Sequence, residues 1–138
     1  MRNCLQSFAL LLVAAVAMTS PAHPQSDWSF VAGKYAVALK DCKLLAKGRP
    51  FSRSLAKDLD SEVLTREGIT SQRETHCRFR SSKKEAGGKA AWTVKAGCEE
   101  LGKVSQEELA VTANADGSLV VKSEDVFGPP LTFLPCPK

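Results

Sequence analysis

The chain has 138 residues, of which 43% are apolar, 25% charged and 7% aromatic, and its formal charge is +4. That length and composition support one hydrophobic core in a single domain and exclude collagen, coiled coil, low complexity and wholesale disorder. So small a positive charge does not call for a nucleic-acid partner.

Residues 1–22 read as an export signal. Arg2 precedes the apolar run Phe8–Met18, and the small and turn-forming residues Thr19-Ser20-Pro21-Ala22 follow it. The run spans about eleven residues, short of the roughly 20 that a spanning helix needs, which excludes a membrane anchor. Cleavage after Ala22 fits the triplet Ser20-Pro21-Ala22, and Ala15-Val16-Ala17 offers a second cut. Cys4 lies before the run, so it cannot become a lipid-modified first residue. The expectation is a soluble, mildly basic protein, periplasmic or secreted, and monomeric.

Loss of Cys4 leaves Cys42, Cys77, Cys98 and Cys136, an even number in a chain bound for an oxidising space. Two disulfides follow. Three pairings are open; Cys42–Cys77 with Cys98–Cys136 is favoured, because Cys77 and Cys98 look out of step across their hairpin. The four stand too far apart for the paired ligands of a zinc site, and no C-x-x-C redox motif is present.

After a mobile lead at 23–32, the domain at 33–138 reads mainly as strands. Tyr35, Val37 and Leu39 alternate in Gly33–Lys40. Phe51, Leu55, Leu59 and Val63 recur every four residues, so a short helix or structured loop is expected near 51–61. Val63–Thr65, a turn at Arg66-Glu67-Gly68 and a run from Ile69 to Arg80 predict a hairpin. In that run Thr75, Cys77 and Phe79 share the core face, while His76, Arg78 and Arg80 face water. The loop Ser81–Lys89, with Gly87-Gly88, ends it. Trp92, Val94, Ala96 and Cys98 alternate in the clearest strand. Leu109, Val111 and Ala113 precede Asp116-Gly117, and Leu119 and Val121 follow, which is a hairpin signal. Pro129 and Pro130 force a turn before a last strand at Leu131–Leu134. The fold class is all-β, an antiparallel barrel or sandwich of about six or seven strands.

Catalytic candidates are few. His76 is read as a surface histidine, and no serine or threonine sits in a G-x-S-x-G setting, so no triad forms. The carboxylates Asp58, Asp60 and Glu62, and the pair Glu99-Glu100, read as solvated faces. No phosphate-binding or dinucleotide motif, cofactor or metal is indicated. The biased stretch is Arg73, Arg78, Arg80, Lys83, Lys84 and Lys89, a basic hairpin suited to an acidic lipid, a polymer or an acidic cleft, or simply to guarding a sheet edge. Phe127, Pro129 and Pro130 mark either a rigid protruding loop or a turn that seals the core.

The order Tyr35 to Cys42, Gly68-Ile69 to Cys77, Trp92 to Cys98, Asp116-Gly117-Ser118-Leu119 and Cys136 resembles small exported four-cysteine proteins of alphaproteobacteria. The resemblance spans about Gly33 to Cys136 and implies a compact β fold without carrying a catalytic residue. The general plan is also similar to that of bacterial inhibitors of lysozymes and proteases. The expected function is a non-enzymatic binding or interaction protein, whose partner is an envelope protein or an anionic envelope component. The alternative is an inhibitor that inserts Ser81–Lys89 or Phe127–Pro130 into a hydrolase cleft.

Overall fold

The computed structural model describes residues 25–48, 51–73 and 75–138. The segment expected to be an export signal, with Cys4, lies outside the described residues. Eight antiparallel strands form a closed barrel in which each strand pairs with its sequence neighbours and β8 returns to β1. The strands are β1 Tyr35–Ala36, β2 Val63–Thr65, β3 Gly68–Thr70, β4 His76–Lys84, β5 Ala91–Glu100, β6 Lys103–Ala113, β7 Leu119–Lys122 and β8 Leu131–Pro135. The all-β barrel is therefore as expected, with eight strands rather than six or seven. A barrel of this size is just wide enough for side chains to fill. Tyr35, Leu64, Ile69, Cys77, Trp92, Val94, Ala96, Cys98, Leu109, Val111, Leu119, Val121 and Phe133 fill it from the inward rows.

Two helices, α1 Cys42–Ala46 and α2 Arg53–Ala56, lie between β1 and β2. The period-four row near 51–61 does contain a helix, α2; α1 was not foreseen. Leu45, Leu55 and Leu59 pack on Ala36 and Val63, which are the outward residues of β1 and β2. The helical segment thus covers part of the barrel wall and builds a second small core there.

The first strand is shorter than alternation predicts. Only Tyr35 and Ala36 pair, the chain then curls into a 3-10 turn at Leu39–Asp41, and Leu39 is 50% exposed instead of inward. Buried Asp41 explains the curl. Its carboxylate accepts the Asp60 N–H at 3.1 Å and the Ser61 hydroxyl at 2.5 Å, and those bonds hold the two ends of the helical excursion together.

The described part of the lead, 25–32, packs on the barrel. Phe30 is buried among core residues, Trp28 stacks on Phe79 with centroids 5.9 Å apart, and the Asp27 N–H donates to the Ser82 carbonyl. Three aromatic rings in contact explain why this segment, polar at its start, is held against the wall.

The disulfides are Cys42–Cys136 and Cys77–Cys98, which corrects the expected pairing. Counting back from Lys84 opposite Trp92 and Ser81 opposite Lys95 would set Cys77 opposite Glu99. A bulge at Arg80 shifts the ladder by one residue, so Phe79 faces Ala96 and Cys77 faces Cys98.

Candidate functional site

The basic residues do not form one patch. Arg73 lies in the turn before β4, at the opposite end from the β4–β5 loop that carries Lys89. Lys83 and Lys84 belong to β4, which runs four residues past the expected strand end at Arg80 and so corrects the loop boundary. Arg78 and Lys83 stand on the outer face, opposite Gly97 and Thr93, and Lys95 of β5 joins them. The Arg80 guanidinium lies over Gly97, where an added Cβ would sit 3.3 Å from its Nε and Nη2 atoms, so the missing side chain makes its seat. Lys84 is on the inner row and places its Nζ 5.5 Å from the centre of the Trp92 ring at the mouth of the barrel.

At that mouth the Asp27 carboxyl is held below its ordinary range, first by the Ser29 hydroxyl and then by the Ser29 N–H. The buried Trp92 indole N–H lies near it without closing a hydrogen bond. On the β6–β7 turn, Ser118 lowers Asp116 in the same way, through its hydroxyl at 2.6 Å and its N–H at 2.9 Å.

His76 is buried, which corrects the surface reading. It does face outward, but Phe51 covers it with ring centroids 4.7 Å apart, and Nδ1 lies 2.7 Å from the Thr70 hydroxyl. Alternation cannot reveal a second layer laid over the outer face. Of the candidate carboxylates, Asp60 pairs with Lys40 at 2.9 Å in solvent, and Glu62 accepts from the Ser71 hydroxyl at 3.4 Å. Among the described residues no group of three metal-ligating side chains comes together.

Of the proposed protruding loop, Phe127 is half-buried against the barrel core, while Pro129 and Pro130 are exposed. The element that overhangs is the hairpin of β5 and β6. Its ladder continues to Glu100 opposite Lys103, and its tip is Leu101-Gly102, both at positive φ, 48° and 81°. Positive φ at both central residues marks the type I′ form of the tight two-residue hairpin turn, in which asparagine, aspartate or glycine ordinarily fills the first position. Leu101 occupies it while 76% exposed, and Val104 beside it is 72% exposed. The sequence carried a signal for this turn, Leu101-Gly102-Lys103 after an alternating strand, but leucine hid it.

β7 pairs with β6 only over Ala110–Ala113. Among the described residues, Lys103–Leu109 therefore have no strand partner on the side away from β5. A groove of about 680 Å³ runs beside this free edge, lined by Gln106, Glu107, Glu108, Lys122, Glu124 and Asp125 among others. A second hollow, of about 540 Å³, lies between the lead, the helices and the β2–β3 turn, with Lys34, Phe51 and Arg66 in its wall.

No family model matches the chain, and neither a curated protein nor a solved structure matches it. Among the described residues no helix is long and apolar enough to cross a membrane.

Proposed function

We propose that the chain is an exported, non-enzymatic binding protein that meets a protein partner through the β5–β6 hairpin. The observation that supports this reading is Leu101. A leucine in the left-handed region costs roughly 1 kcal/mol or more, and at 76% exposure it recovers little of that by burial. A residue that folds poorly and stays in water is accounted for by a contact outside the molecule. The four barrel cysteines paired as two disulfides fit an oxidising compartment, periplasmic or extracellular. The inhibitor alternative is a special case, with the hairpin tip as inserting element in place of Ser81–Lys89 or Phe127–Pro130.

Affinity capture from an envelope extract, using the oxidised protein and a Leu101→Asn, Val104→Thr variant, tests the reading. Enrichment of a partner by the first and not the second is expected. Equal enrichment by both, or by neither, overturns it.

A second reading is favoured by the outer row of Arg78, Arg80, Lys83 and Lys95: contact with an anionic envelope lipid or polymer. Retention on acidic but not neutral vesicles, lost in about 0.5 M salt where the Debye length shrinks to roughly 4 Å, is its expected signature. Equal retention on both kinds of vesicle would dismiss it.

A further inference from the structure

We propose that the free edge of β6 is a strand-addition site for an extended, basic segment of an exported partner protein; this rests on the hairpin being the binding element. Ladder alternation turns the backbone groups of Lys103, Ser105, Glu107 and Leu109 toward β5. The Ala113 N–H, in the same phase, bonds the Ala90 carbonyl on that side. The N–H and C=O groups of Val104, Gln106 and Glu108 accordingly point away from β5, where β7 has not yet joined. An exposed row of ladder groups is a template for another strand.

The groove beside the edge has room for that strand, about 680 Å³. Its walls bring Glu107, Glu108, Glu124 and Asp125 together against one lysine, Lys122. Glu108 stands on the outer row and Glu107 on the inner row, so an added strand meets a carboxylate on either face. A basic segment therefore fits, and a second copy of this edge, with its own glutamates, is repelled.

The test is an NMR titration of the labelled, oxidised protein at low salt with a ten-residue peptide of alternating arginine and valine, and with its glutamate counterpart. Saturable shifts and slowed amide exchange at Val104, Gln106 and Glu108 are expected with the basic peptide. Binding weakens at least tenfold for the acidic peptide, for a Glu107→Lys, Glu108→Lys variant, and for Gln106→Pro, which removes an edge N–H. Should the proline variant unfold, the charge variant carries the comparison. Equal response to both peptides, shifts confined to other strands, or concentration-dependent pairing of the protein with itself through this edge overturns the inference. If the peptide fails while capture still depends on Leu101 and Val104, strand addition falls and the hairpin reading stands; if both fail, both fall.

Discussion

Cys77 stands directly opposite Cys98, and it does so because Arg80 is bulged out of β4 between them and the hairpin loop. The bulge converts an unpaired register into a cross-strand disulfide inside the barrel. It also turns the Arg80 guanidinium over Gly97, on the outer face. One inserted residue thus sets both the covalent core and the outer basic row.

Proteolytic mapping without reduction should recover Cys42 linked to Cys136 and Cys77 linked to Cys98. Deleting Arg80 should remove the bulge but leave Ser81 opposite Lys95 and Phe79 opposite Ala96, so Cys77 still faces Cys98 and no reactive thiol appears after refolding, while the guanidinium seat over Gly97 is lost. Removing the 21-residue link should cost ~3 kcal/mol and the 94-residue link ~4–5 kcal/mol. Recovery of Cys42 linked to Cys77 would contradict the register.

Gly68 holds β3 against β4 where no side chain fits. Its φ is 153°, and an added Cβ would lie 1.8 Å from the Cys77 carbonyl oxygen, which is backbone and cannot rotate aside. Gly68→Ala should destabilise by about 2 kcal/mol or more. Gly87→Ala is a useful contrast, since it also has positive φ, 92°, but open space around it. Chemical denaturation that finds the two variants equal would refute the close approach.

Phe51 shields His76 from water. Phe51→Ala should cost ~3 kcal/mol and, in the folded variant, open His76 to imidazole-modifying reagents that leave the parent ring unreacted. Leu55→Ala, from a fully buried position, should cost about 2–5 kcal/mol. Equal His76 reactivity with and without Phe51 would argue against the covering layer.

Asp27 and Asp116 both titrate below the ordinary carboxylate value of 3.8, because serines donate to them in the fold. A carboxyl whose folded value is the lower one favours folding above pH 3.8, and that contribution fades as pH falls through the folded value. Both groups stand in solvent, so the effect on stability is slight. Ser29→Ala and Ser118→Ala should each raise the titration midpoint of the neighbouring aspartate, as followed by carboxyl NMR. Unchanged midpoints would remove the assigned cause.

Leu101→Asn should make the isolated protein more stable, by up to ~1 kcal/mol, because asparagine tolerates positive φ and leucine does not. The same change should weaken partner capture. A melting temperature that falls would mean that Leu101 contributes to the fold in a way its exposure does not reveal.

Local pattern determined most of the strands. Trp92 to Cys98 alternates because one face of β5 meets the core, and Asp116-Gly117 turns the chain because glycine accepts the φ of 86° found there. Such features depend on neighbours a few residues apart, which is the range over which sequence periodicity speaks.

Tertiary structure decided what depends on distant partners. Cys77 met Cys98 through a bulge that no local preference announces, and His76 was covered by Phe51, which comes from a segment 25 positions earlier in the chain. Asp41 was drawn inward by Asp60 and Ser61, and the six basic residues were dispersed between two sheet faces and two barrel ends. The free edge of β6 follows from the unequal lengths of β6 and β7, eleven residues against four. Alternation marks which residues face the core; only closure of the barrel determines which strand runs out of partners first, because pairing is a relation between strands and not a property of either one.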